Sequence, residues 1–121
     1  METGEIIEKL RRERKMAQKQ LAAVLNVSVG TVSNYENGVH FPDLDMMRKL
    51  MDFFGVSADY LLGVTEYRGN AERLYENVTT DHTVADFVDT LFEVDAKDRE
   101  SVMLYALFLK ARKEQMRESK K

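Results

Sequence analysis

Two short apolar repeats separated by about three residues constrain this chain more than any other feature. Leu21, Ala22, Val24 and Leu25 recur at helical spacing from Gln18, and Asn26 follows where that helix must stop, since asparagine tolerates the left-handed backbone that a helix end requires. Ser28 is a natural N-cap for the next helix, which runs to about Asn37 and is closed by Gly38. Two helices joined by so short a turn form the helix-turn-helix arrangement.

The same spacing predicts helices on either side. Ile6, Ile7 and Leu10, followed by Met16, indicate a first helix over about Thr3–Arg14, with Thr3 as its N-cap and its basic residues mainly on the outer side. After Pro42, the residues Leu44, Met47, Leu50, Met51 and Phe54 mark a fourth helix that starts near Asp43 and stops at Gly55. Ser57 caps a short fifth helix through Tyr60, Leu61 and Leu62, ended by Gly63. Five helices within about 63 residues predict a compact all-α domain.

Beyond Val64 the periodicity fades as far as Thr83, with Gly69 and Asn70 reading as a turn and Ala71–Tyr75 as a candidate helix. A sixth helix is expected over Val84–Glu93, where Val84, Phe87, Val88, Leu91 and Phe92 share a face. Asp95 opens a last, long helix, with Asp98 at capping-box spacing, that fades among Lys113 to Lys121. Its stretch Val102–Leu109 is apolar around the whole circumference, more than the single stripe a surface helix needs, so it must pack on more than one partner. One side is expected to cover the sixth helix and the other a second chain, through Val102, Tyr105, Phe108 and Leu109; the alternative is burial within its own monomer. The expected partition is 1–63, a linker 64–83, and a helical dimerisation region 84–121.

The chain has 121 residues, 44% hydrophobic and 32% charged, which permits a packed core. With no cysteine, disulfides and thiolate metal sites are excluded. METGEIIEKLRRERK has no apolar signal core and no stretch nears the roughly 20 apolar residues of a membrane span, so the expected location is cytoplasmic. A net charge of -3 counts mildly against nucleic-acid binding, but Lys9, Arg11, Arg12, Arg14, Lys15 and Lys19 against Glu13 make a local +5. That cluster reads equally as a phosphate contact or as a solvated helix face. His40 and His82 stand far apart, and no glycine-rich phosphate loop is present, so no catalytic constellation and no cofactor is implied.

The run from Ala17 to Gly38, AQKQLAAVLNVSVGTVSNYENG, closely resembles the helix-turn-helix of the phage repressor and Cro family, also called the Xre family. The resemblance extends from about Ile6 to Gly63. It keeps the spacing of Leu10-Arg11, Gln18 with Leu21-Ala22, Val27-Ser28, Tyr35-Glu36-Asn37-Gly38, Pro42 and the ending GVSADYLLG. It implies a lambda-repressor-like five-helix DNA-binding domain followed by the helical dimerisation region, and a partner of double-stranded DNA. In such a motif the second helix lies in the major groove with its N-terminal residues nearest the bases. Here these are Ser28, Val29, Gly30 and Thr31, joined one turn later by Asn34.

Asn34 suits adenine, Thr31 a base or a phosphate, and Val29 either a thymine methyl or a hydrophobic staple. Gly30 costs about 1 kcal/mol relative to alanine, so it marks either close approach to DNA or a tolerant site. Gln18 is expected at a phosphate, through a backbone N–H at the start of its helix or through its side-chain amide, with Lys19, Asn37 and His40 as weaker candidates. Arg11 and Glu36 match the family's internal salt bridge, while Leu21, Ala22, Val27, Val32 and Tyr35 are expected in the core. Two positions depart from the pattern: Ala17 replaces a serine or threonine N-cap, and Asn26 the usual turn glycine. The lean recognition helix leaves much specificity to DNA shape and dimer spacing.

The function implied is a transcriptional repressor that binds a palindromic operator as a homodimer. An antitoxin-type regulator whose C-terminal half binds a protein partner, and a protein-interaction module on the same scaffold, are the alternatives.

Overall fold

The computed structural model describes residues 1–69 and 71–120 and is all-helical, without a named strand among those residues. Asn70 of the expected turn and Lys121 of the expected tail lie outside the described residues. The chain divides into two compact units, Met1–Arg73 and Leu74–Lys121.

The first unit holds α1 (Thr3–Glu13), α2 (Gln18–Leu25), α3 (Val29–Glu36), α4 (Leu44–Phe54) and α5 (Ala58–Leu61). Three side chains cap these helices in the same way: Ser28 Oγ accepts from the Thr31 N–H, Asp43 Oδ1 from Met46 and Ser57 Oγ from Tyr60, at 3.1, 2.9 and 3.1 Å. Each bond satisfies one of the donors a helix start leaves unpaired. Asn26 and Gly55 stop α2 and α4 in the left-handed conformation, at φ 57° and 65°. Thr3 does not cap α1. Glu2 takes the extended cap position, and Thr3 is already helical and buried. A threonine suits the cap, but here it stands one residue later, in the first turn and packed away from solvent.

The core gathers Ile7, Leu21, Leu25, Val32, Leu50 and Leu61, all fully buried, with Ile6, Leu10, Ala22, Phe54, Val56 and Tyr60 around them. Burying each large aliphatic side chain contributes about 1.5–3 kcal/mol. α1 packs on α3 and α5, and α2 on α3 and α4, so the helix-turn-helix is held from two sides. Val27 and Tyr35 pack against this core while only partly buried. After α5 the chain returns to α1: both guanidinium nitrogens Nη1 and Nη2 of Arg68 donate to the Glu13 carboxylate at 2.6 Å. That pair holds the Glu13 carboxyl below the usual carboxylate range.

A 3-10 turn spans Ala71–Tyr75. In the second unit a loop is closed by a bridge between Asn77 and Thr83 and by Val84 N–H donating to Glu76 O at 2.8 Å. There α6 (Val84–Glu93) starts with a reciprocal cap between Thr83 and Asp86, and α7 (Ala96–Ser119) starts at Asp95, whose Oδ1 accepts from the Asp98 N–H. α7 stays helical to Ser119, past the expected fraying at Lys113. Neither α6 nor α7 buries a single residue. Met103, Leu104, Tyr105, Leu107 and Phe108 of α7 are exposed, and α7 does not pack along α6. The expectation that the sixth helix covers one side of α7 is therefore not met, and neither is burial within its own monomer. Among the described residues no helix is long and apolar enough to cross a membrane.

Candidate nucleic-acid interface

A buried carboxylate sets the geometry of the helix-turn-helix. Glu36, at the end of α3, accepts from Arg11 Nε of α1 at 2.6 Å through Oε1 and from Gln18 Nε2 of α2 at 2.7 Å through Oε2. Arg11 Nη1 also donates to Met16 O at 2.7 Å, tying the turn before α2 to the same cluster. One side chain thus joins the three helices whose mutual angle determines how α3 is presented. Hydrogen bonds to charged groups at such distances are the strong ones.

The second of these bonds orients the Gln18 side chain. One of the two amide N–H donors is taken by Glu36, which leaves the second and the backbone N–H groups that open α2 for a phosphate. Ala17 offers α2 no side-chain cap, but Gln20 Oε1 accepts from the Ala17 N–H at 2.7 Å and steadies the entry from the opposite direction. Lys19 is exposed and makes no ion pair among the described residues.

The basic cluster is not the uniform outer face that its composition suggests. Arg11 is buried in the clamp, Arg12 pairs with Glu8 at 2.7 Å, and the Arg14 guanidinium lies over the Phe53 and Phe54 rings at 4.6 and 5.0 Å. Lys9, Lys15 and Lys19 remain without ion pairs among the described residues. Two carboxylates and a pair of aromatic rings engage the three arginines.

On α3, Ser28, Val29, Gly30 and Asn37 are exposed, and Thr31 and Asn34 half-buried. Ser28 Oγ and Thr31 Oγ1 are 2.8 Å apart, and Asn37 Nδ2 donates to Ser33 Oγ at 3.2 Å. The Asn34 backbone carbonyl accepts from Val39 and His40 N–H at 2.9 and 3.3 Å, which ends the helix, while its side chain has no partner among the described residues. His40 is exposed in the loop beyond. Burial pushes the Tyr35 phenol above its ordinary range, with the Asp43 charge adding to it. Val102, Tyr105, Phe108 and Leu109 belong to α7, in the other unit; the first three are exposed and Leu109 is half-buried.

Sequence reasoning missed Gly4. A Cβ at that position would overlap Tyr35 O and lie 2.7 Å from Glu36 O, because the start of α1 rests on the last carbonyls of α3. No local signal marks such a glycine, since the atoms that require it lie in another helix. The described residues hold no cluster of three or more His, Asp or Glu side chains able to take a metal ion.

The family profile described as Helix-turn-helix matches residues 7–61, from within α1 to the end of α5. The HTH-type transcriptional regulator ImmR of Bacillus subtilis (strain 168) is 32% identical over 114 residues, covering 91% of this chain and 90% of that protein. The HTH-type transcriptional activator BcrR of Enterococcus faecalis is 31% identical over 86 residues, covering 64% of this chain but only 42% of its own length. In fold, the chain is similar to the crystal structure of a transcriptional regulator from Listeria innocua, with a TM-score of 0.52 and 21% identity over 91% of this chain and 94% of that one. With a five-helix unit built around a clamped helix-turn-helix, and a relative colinear over nine-tenths of both chains, this protein belongs to the Xre family of helix-turn-helix transcriptional regulators.

Proposed function

We propose that this regulator is a cytoplasmic, nucleoid-associated repressor that binds a palindromic operator as a homodimer, without catalysis or cofactor. Residues 1–63 bind DNA, 64–83 connect, and 84–121 dimerise. α3 enters the major groove and Asn34 and Thr31 read base edges beside Ser28, Val29 and Gly30. Gln18, Lys19 and Asn37 meet phosphates. The observation that carries this reading is the pairing of an exposed α3 with a rigid internal clamp: Arg11, Gln18 and Glu36 hold the helix from behind while Asn34 is left without a partner.

Dimerisation is supported by the second unit, in which no described residue is buried although Val102, Tyr105 and Phe108 lie on one apolar band of α7. Tyr105 and Phe108 stack at 6.4 Å and together make a large apolar surface. Such a helix gains its stability from a partner, and a second copy gives the two-fold symmetry a palindromic site needs. A dimer seated across a promoter blocks transcription by occupancy.

The test is retention of sheared genomic DNA by the purified protein at rising salt. Fragments sharing an inverted repeat with half-sites about one helical turn apart are expected. Replacing Thr31 and Asn34 together with alanine should weaken that binding by about 10-fold or more, and unchanged retention would refute the reading surface. Tyr105→Glu with Phe108→Glu should convert the dimer to a monomer by sedimentation and abolish retention at salt where the parent still binds. A reporter whose transcription rises with the protein would reverse the sign of regulation, the outcome suggested by the name of BcrR. The exposed band of α7 also favours a second reading, the antitoxin type, in which a different protein occupies it; co-purification of a stoichiometric partner in place of a second copy would select it.

A further inference from the structure

The outer face of α3 lacks the charged groups that read G·C pairs. Guanine is read through O6 and N7 by arginine or lysine, and cytosine through N4 by a carboxylate. α3 has no basic residue, and its single acid, Glu36, is buried in the clamp with both oxygens occupied. The Ser28 and Thr31 hydroxyls are bonded to each other, and Asn37 donates to Ser33. Beside these mutually bonded hydroxyls α3 offers one unpartnered carboxamide, Asn34, and an apolar first turn in which Val29 is 43% exposed.

Gly30 completes that turn and has no internal explanation. Its backbone is helical, and a Cβ there would meet only Ser28 Oγ at 3.8 Å, an ordinary contact. Gly4, in contrast, is required by the backbone carbonyls above it. A helical glycine costs stability relative to alanine, and at position 30 the fold gains nothing in return. Gly30 and Asn34 are four residues apart and lie one above the other on the same face. A position without a side chain beside Val29 and one turn before Asn34 can act as a notch on that face.

We infer that this notch receives the 5-methyl group of a thymine, so that the half-site is built on A·T pairs: a thymine against Val29 and Gly30, beside an adenine whose N6 and N7 are taken by Asn34. The inference rests on the operator-binding reading above and narrows it to a class of sequence. A carboxamide matches the donor and acceptor of adenine, and an apolar notch matches the one major-groove group that is a hydrocarbon. Closer approach of the sugar-phosphate backbone is the other use of a bare helical position, and the two differ in what they require of the base.

Full-length protein is used to select duplexes from a random-sequence library, and the recovered half-site is then synthesised with each thymine replaced in turn by uracil. Uracil removes the methyl group and keeps the base pair. The expected half-site has adjacent A·T pairs, one uracil substitution weakens binding about fourfold, and Val29→Ala removes that difference. Gly30→Ala fills the notch and should weaken the parent duplex about 10-fold with thermal stability unchanged or raised. A half-site of G·C pairs, or one in which no uracil substitution changes affinity, overturns the inference while DNA binding stands. A Gly30→Ala loss on an operator indifferent to uracil assigns the glycine to backbone approach and overturns it equally. Recovery of no sequence above background overturns the operator reading, and this inference with it.

Discussion

Replacing Glu36 with alanine is expected to lower the unfolding free energy by about 3 to 5 kcal/mol. Arg11 and Glu36 are 8% and 7% exposed, so the guanidinium left behind would be buried with its charge uncompensated, keeping its hydrogen bond to the Met16 carbonyl. Gln18 would lose its acceptor in the same step. Urea unfolding followed by helical circular dichroism measures the loss, and Glu36→Gln, which keeps shape and an acceptor but not the charge, should fall between parent and alanine. Replacing both partners by apolar residues, Arg11→Met with Glu36→Leu, should recover most of the stability, since the cost lies in the orphaned charge more than in a missing attraction. A loss below about 1 kcal/mol for Glu36→Ala would mean that the pair behaves as a solvated surface bridge. DNA binding by the double variant then reports the geometric role separately: a stable protein with weakened binding would show that the clamp orients α3.

Gly4→Ala should destabilise by about 2 kcal/mol or more, against the sign that helix propensity predicts. Alanine is favoured over glycine in a helix by about 1 kcal/mol, and α1 is a regular helix at that point. The opposing term is steric. The new methyl group would overlap Tyr35 O and stand 2.7 Å from Glu36 O, both backbone atoms of the α3 end that cannot swing aside as a side chain would. Relief requires α1 to lift from α3, which opens the packing around Ile7 and Leu10 and loosens the Arg11–Glu36 clamp. Thermal unfolding of the two proteins decides the sign. A variant more stable than the parent would show that α1 and α3 stand further apart than in this structure.

The helices were legible because the signals that set them act within a turn or two of chain. Ser28, Asp43 and Ser57 cap the helices that follow them, and Asn26 and Gly55 end theirs in the left-handed region, all from residue types that local geometry selects. The sixth helix runs over the same Val84–Glu93 that its apolar face marks out. Thr3 shows the limit of such signals: a residue that suits a cap stands inside the first turn, packed away from solvent.

Partners are a different matter. Nothing near Glu13 announces Arg68, 55 residues away, and nothing near Gln18 announces that Glu36 takes its amide. Charge in a window of sequence suggested a basic face on α1, whereas folding consumed Arg11, Arg12 and Arg14 in contacts with a carboxylate, a neighbouring glutamate and two aromatic rings. For Gly4 and Gly30 the sequence presents the same letter in a helix, and only the tertiary structure separates a glycine pressed against another backbone from one facing open space. By itself, then, the sequence determined the order, ends and apolar faces of the helices, because hydrogen bonding and periodicity are local. The tertiary structure decided which polar groups are spent inside and which remain for a ligand, because that depends on atoms brought together from distant parts of the chain.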